Sequence, residues 1–282
     1  MYSRAYVEII NTCNMNCSFC HGTKRESRTM SLGEFARIVG NLKGITEYLY
    51  LHVLGEPLTH PMLPTFIEYA TKSGFKVAVT TNGTLLPKLG EALILSGIYK
   101  VNISLHSFER YGSQDAQKNY ISNCIAFADE ASKHGVLCVL RLWNKVAEKG
   151  SIEEKLNEYT LELLHKYFGN DWTIGSRGAR IRDKIHLEYG ERFEWPDETN
   201  TDLGERVFCH GLSDHFGILC DGTVIPCCLD ADGSIPLGNI FDTDIRSILS
   251  SARAQAIKDG FSKKIAVEDL CRRCPYARRF KI

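Results

Sequence analysis

Apolar positions along the chain follow two periods, and the two take turns. Residues 6–10, Tyr-Val-Glu-Ile-Ile, form a short β-branched run of the kind that builds a strand. Runs at 47–53, 76–80, 100–105, 136–143 and 184–189 have the same character. Between them the spacing changes to that of helices. Ser31 and Glu34 form a capping-box pattern that opens a helix over 32–42. Helices are also predicted over 62–73, 89–96 and 121–134, each stopped by a glycine (Gly74, Gly97, Gly135). Over 152–168, Leu156, Tyr159, Leu163, Leu164 and Tyr167 share one helical face. Regular alternation of strand and helix predicts parallel βα units. In such a sheet the ligand site lies at the C-terminal strand ends, whether the sheet curls into a barrel or stays open and doubly wound. The polar clusters Cys13–Cys20, Gly55-Glu56-Pro57 and Thr81-Asn82-Gly83 all follow strands.

Composition narrows the class. The 282 residues are 44% hydrophobic and 24% charged, as in a globular protein. Lys+Arg and Asp+Glu both count 34, so no basic field draws in nucleic acid. No apolar run approaches the ~20 residues of a membrane span, and the N-terminus lacks a signal-peptide core. A cytoplasmic protein without a membrane partner is expected.

Eleven cysteines change the picture. They cluster at 13–20 and 209–274, with Cys124 and Cys138 isolated between and read as buried small hydrophobes. Cys13, Cys17 and Cys20 stand in a C-x3-C-x2-C spacing. Three thiolates close on three corners of a [4Fe–4S] cluster and leave one iron open. Structural zinc, with His21 as fourth ligand, is the alternative. Further on, Cys209 and Cys227 flank an Asp221-Gly222 hairpin turn. A helix predicted over 244–258 then leads to Cys271 and Cys274. Those four thiols make one saturated site, tetrahedral zinc or a closed [4Fe–4S] cluster. Alternation along the strand favours Cys227 over its neighbour Cys228; Cys220 stands outside the pattern.

The first cysteine motif, with Phe19 before its last thiol, resembles that of the radical S-adenosylmethionine (SAM) superfamily. The C-x12-G-x4-C unit, Gly238-Asn239-Ile240 and the late C-x2-C resemble the auxiliary-cluster module of its SPASM/twitch group. No cysteine follows Cys274, so the shorter twitch form with one auxiliary cluster is expected. The resemblance implies an α/β fold: a partial (βα)6 TIM-type barrel over 1–189, a linker over 190–208, and a Cys-rich module (β-hairpin plus helix) over 209–282. It implies that Phe19, Gly55, Glu56, Pro57, Asn82, Ser104 and Arg141 contact the cofactor. Gly55-Glu56 would hold the methionyl amino group, Ser104 the ribose and Arg141 the carboxylate. Leu54 stands where the family has its first glycine. The implied reaction is reductive cleavage of SAM to a 5′-deoxyadenosyl radical, which abstracts hydrogen from a substrate. An external electron donor of flavodoxin or ferredoxin type would feed it.

The motifs leave the substrate open. With no further domain visible to clamp a leader peptide, a small molecule is expected. Glu188, Tyr189, Phe193, Trp195 and Trp143 suggest a site for a planar heterocycle, with His106 facing the same lumen. Among small enzymes of this build, queuine lyases, which act on a 7-deazaguanine base, are the best guess, with Trp143 as stacking platform and Glu188 as fixed acid. Peptide maturase and sugar or alcohol dehydrogenase are the alternatives. A zinc-bound RNA-binding protein using Arg272, Arg273, Arg278 and Arg279 is the alternative outside enzymes.

Overall fold

The computed structural model describes residues 1–106, 113–143, 151–192 and 194–280. Six strands run parallel: β1 (Arg4–Val7), β2 (Tyr48–Tyr50), β3 (Lys76–Thr81), β4 (Lys100–Ser104), β5 (Leu137–Leu142) and β8 (Ile185–Tyr189). They are connected through α1 (Leu32–Leu42), α2 (Leu63–Lys72), α3 (Leu86–Leu95), α4 (Gln114–Lys133) and α5 (Ile152–Phe168). This is the predicted partial barrel. Ser31 accepts from the Glu34 amide, and the Glu34 carboxylate returns to Ser31, so the capping box is complete. Two helices start earlier than their apolar pattern suggests. α3 begins at Leu86 and not Leu89, and α4 begins at Gln114 behind the Ser113 cap, seven residues before Ile121, because its first turns are polar and exposed on one face.

Two additions were not visible in the periodicity. β6 (Thr173–Gly175) and β7 (Gly178–Arg182) form an antiparallel edge beside β8. On the other side, β9 (His215–Ile218) lies parallel to β1, with Arg4 opposite His215 and Val7 opposite Ile218. β10 (Thr223–Ile225) and β11 (Gly238–Asn239) extend it antiparallel. The expected Asp221-Gly222 hairpin is therefore present, and it continues the barrel sheet, whose order is β11-β10-β9-β1-β2-β3-β4-β5-β8-β7-β6. The helix predicted over 244–258 is two: α6 (Ile245–Leu249) and α7 (Ala252–Ser262), the second capped anew by Ser251. A short helix, α8 (Asp269–Arg272), carries Cys271.

Residues 190–208 are irregular but held on both sides. Asp197 pairs with Lys24 at 2.9 Å, Arg273 donates to the Asn200 carbonyl at 2.5 Å, and Arg206 bridges to Ile265. The arginines weighed as an RNA-binding tail are spent in the same way. Arg272 pairs with Asp202, Arg278 donates to backbone carbonyls of 203–206, and Arg279 to those of Glu191 and Arg192. Carboxylates thus neutralise Arg272 and Arg273, while Arg278 and Arg279 tie the chain's end to the backbone of the 190–208 segment. No described helix is long and apolar enough to cross a membrane.

Candidate active site

The loop carrying Cys13, Cys17 and Cys20 leaves the C-terminal end of β1 and is pinned at several points. Glu8, fully buried, takes both oxygens to Arg25 Nη2 at 2.7 and 2.8 Å and also accepts from the Leu54 and Cys220 amides. Arg28 Nε donates to the Cys220 carbonyl at 3.0 Å. His21 Nε2 meets Asp232 at 2.7 Å, so its ring faces a carboxylate and not the thiols. Cys220 has its account here: its buried thiol donates to the Glu8 carbonyl at 3.0 Å. Cys124 and Cys138 are buried, as expected of small hydrophobes.

Gly55 sits against this loop at φ +75°. A Cβ there would lie 2.4 Å from the Ile10 carbonyl oxygen and 2.9 Å from that of Thr12, so only glycine permits the approach. Glu56 turns inward: its carboxylate accepts from Leu58 N at 3.0 Å, Thr81 Oγ1 at 2.7 Å and Asn82 N at 2.7 Å. Burial pushes its pKa up to about 7 against the pull of those three donors. Thus the acid braces the β2 and β3 exits, while Pro57 opens a 3-10 turn behind it. Asn82 reaches the cysteine loop, donating to Asn14 Oδ1 at 2.9 Å and lying 3.8 Å from Cys13 Sγ.

Ser104 and Arg141 stand opposite one another in register on β4 and β5. Both line a cavity of about 650 Å³, together with Phe19, Cys20, His106, Trp143 and Glu188. The two residues expected to hold a heterocycle are committed elsewhere. Arg141 Nε lies 3.4 Å from Glu188 Oε2, inside ion-pair range though not aligned as a hydrogen bond. Its guanidinium carbon sits 4.6 Å over the Trp143 ring. A Cβ on Gly190 would fall 2.6 Å from Trp143, so the indole packs on that backbone. Trp143 therefore lines the cavity as a packed partner of Arg141. His106 Nδ1 donates to the Arg141 carbonyl, 3.1 Å away, and its ring centroid is 5.1 Å from that of Phe19. Trp195 lines the same cavity and stacks with His21, whereas Tyr189 packs against the hydrophobic core. Phe193 lies outside the described residues.

Cys209, Cys227, Cys271 and Cys274 line the same cavity. Burial first, then the thiols of Cys209, Cys228, Cys271 and Cys274, push the Cys227 thiol well up. Cys228 instead shares a hydrogen bond with Tyr6. Among the described residues no three His, Cys, Asp or Glu side chains gather tightly enough for a single metal ion. Cysteine thiolates are the usual ligands of iron–sulfur clusters, and four saturate one.

Comparison with known proteins agrees with this donor set. Residues 7–144 match the radical SAM superfamily, and residues 209–275 match the SPASM iron–sulfur cluster-binding domain. The chain thus carries a radical SAM superfamily domain and a SPASM/twitch iron–sulfur domain; domains of these two kinds belong to enzymes and imply a [4Fe–4S] cluster, SAM and auxiliary iron–sulfur. It is 31% identical to GTP 3′,8-cyclase of Aliarcobacter butzleri over 65% of this chain and 62% of that one. It is 26% identical to the antilisterial bacteriocin subtilosin biosynthesis protein AlbA of Bacillus subtilis over 97% of this chain and 65% of AlbA. Streptococcus suis SuiB, solved bound to precursor peptide SuiA, shares the fold at a TM-score of 0.60 and 16% identity, over 98% of this chain and 71% of SuiB. The chain spans between 29% and 62% of the length of the first curated relatives it matches.

The polar lumen was the feature sequence reasoning missed. Tyr48-Leu49-Tyr50-Leu51-His52 alternates strictly, and that period-two signal points His52 and the tyrosines to one face.

Proposed function

We propose that the chain cleaves SAM reductively and directs hydrogen abstraction at a polar substrate held in the cavity between its two thiol sets. The observation that carries this reading is the cavity itself, whose lining includes Cys20 of the first thiol set and Cys209, Cys227, Cys271 and Cys274 of the second. A SAM-bound cluster at Cys13, Cys17 and Cys20 supplies a 5′-deoxyadenosyl radical. The protein's part is to orient and enclose. Gly55 brings backbone close to the cysteine loop, Ser104 and Arg141 offer a hydroxyl and a guanidinium fork, and Phe19 adds an apolar wall. Cys209, Cys227, Cys271 and Cys274 use four thiols on one auxiliary cluster, which leaves no iron for substrate and fits an electron-transfer or structural role.

The reported relatives, by their names, concern GTP, a bacteriocin and a precursor peptide. A peptide segment and a small molecule are therefore both supported as substrate classes. The 7-deazaguanine reading gains no support from these relatives.

The test is anaerobic incubation of the reconstituted protein with SAM and dithionite, following 5′-deoxyadenosine. The Cys13/Cys17/Cys20→Ala triple variant should form none while retaining the auxiliary iron. Continued reductive cleavage in that variant sinks the assignment.

A further inference from the structure

Asn82, at the exit of β3, is held at every polar atom. Its amide N–H donates to Glu56 Oε2 at 2.7 Å, and its carbonyl accepts from the Tyr120 hydroxyl at 2.8 Å. Gly83 follows at φ +77°, and beyond it Thr84 returns to the Asn82 side chain. Asn82 Oδ1 accepts from the Thr84 amide at 3.0 Å and from Thr84 Oγ1 at 2.7 Å. A ring of side chains then closes over the cysteine loop. Asn82 Nδ2 donates to Asn14 Oδ1 at 2.9 Å, and Asn14 Nδ2 donates to Thr84 Oγ1 at 2.8 Å.

This ring leaves no choice about which way the amides point. A backbone N–H can only donate, so the Asn82 atom facing the Thr84 amide is oxygen. The other end of that amide is therefore nitrogen, and the Asn14 atom that meets it is oxygen. Asn14 Nδ2 in turn faces Thr84 Oγ1, whose own proton goes to Asn82 Oδ1. An NH2 group carries two protons, and Asn14 takes one of those on Asn82. The second lies toward Cys13 Sγ, 3.8 Å from Nδ2. Cys13 Sγ also accepts from the Met15 amide at 3.4 Å. Asn82 is only 8% exposed, so water competes little for that proton.

We infer that Asn82 raises the reduction potential of the cluster held at Cys13, Cys17 and Cys20, with Thr84 and Asn14 as the positioning residues that aim its N–H at Cys13 Sγ. Reduction adds negative charge to the cluster and its sulfurs. A donor aimed at a sulfur therefore favours the reduced form, and hydrogen bonds to the sulfurs are among the levers by which a protein sets such potentials. The effect makes this cluster easier for an external donor to reduce. The inference rests on the reading above in placing the cluster on these three thiols.

The test is an anaerobic redox titration of the reconstituted holoenzyme followed by electron paramagnetic resonance. The open-iron cluster is the reduced component whose signal changes when SAM is added, which separates it from the auxiliary cluster. Asn82→Ser stays neutral and keeps an oxygen for the Thr84 amide, but loses the N–H toward Cys13. Its SAM-responsive midpoint should fall by at least a threefold change in the reduction equilibrium, about 28 mV for a one-electron couple, with the auxiliary component unmoved. Thr84→Val should shift the midpoint the same way, and Thr84→Ser should restore it. This second pair decides the matter if Asn82→Ser fails to fold. An unchanged midpoint in Asn82→Ser or in Thr84→Val overturns the inference, as does a fall in Thr84→Val that Thr84→Ser does not restore. A wild type in which no component responds to SAM takes down the placement of the cluster and the inference with it, so the two failures are distinguishable.

Discussion

Adjacent cysteines with opposite surroundings carry the sharpest distinction in the molecule. Cys227 is grouped with Cys209, Cys271 and Cys274, whereas Cys228 turns to the Tyr6 hydroxyl. Cys227→Ala should cost the auxiliary iron, and Cys228→Ala should keep it; iron and sulfide per chain decide, and the reverse pattern would move the ligand to Cys228. Strand alternation alone allowed this preference, because neighbouring side chains point to opposite faces. It gave no hint of the role of Cys220, since a thiol bonded to a carbonyl 212 residues away leaves no local trace. Glu56 makes a second residue-level prediction. Its folded pKa of about 7 stands above the usual 4.5, so between those values the folded state binds more protons than the unfolded one. Stability from this group is full below pH 4.5 and falls as pH rises toward 7. Glu56→Gln should flatten that part of the profile. It should also lower the denaturant midpoint, since an amide cannot accept from all of Leu58 N, Thr81 and Asn82, and an unmet buried donor costs about 1–3 kcal/mol. An unchanged pH profile in the variant would count against the raised pKa.

Elements were legible where a local signal fixes them. The Ser31 box, the glycine stops and the parallel βα alternation each rest on a few neighbouring residues, and each is present. β6 and β7 were not legible, because Thr173–Arg182 is polar on its exposed edge and forms a strand only through pairing with β8. The break between α6 and α7 was missed for a related reason: the serines at 250 and 251 can sit in a helix, and Ser251 becomes a cap only when its hydroxyl takes the Ala254 amide. The cysteine loop is held as an element by Glu8 and Arg25. Arg25→Met would leave a fully buried carboxylate without its fork, a loss of about 3–5 kcal/mol for such pairs. We expect a lower unfolding midpoint and loss of iron from the Cys13–Cys20 site, with Glu8→Gln/Arg25→Met milder than Arg25→Met alone. Iron retention in the single variant at an unchanged midpoint would show that the loop is held elsewhere.

At the scale of the whole molecule, β1 is the shared strand. β2 pairs on one side and β9 on the other, so barrel and iron–sulfur domain are one sheet. The sequence reading of a barrel, a linker and a module did not contain this, because parallel pairing between strands more than two hundred residues apart has no sequence-local signature. The consequence is energetic coupling. Without residues 209–282, β1 becomes an edge, the Glu8 amide loses the Ile218 carbonyl at 2.8 Å, and the Glu8 carboxylate loses the Cys220 amide. Arg25 Nε and Arg28 Nε lose their carbonyls on Ala231 and Cys220. Each loss falls on the strand and loop that carry Cys13, Cys17 and Cys20. A fragment of residues 1–208 should therefore show no cooperative thermal transition and should fail to take up iron at those cysteines, even though all three are present. Calorimetry and iron analysis on that fragment decide it. A sharp transition with a full complement of iron would mean that the barrel holds its own first strand, and that the C-terminal domain contributes its cluster and not its sheet.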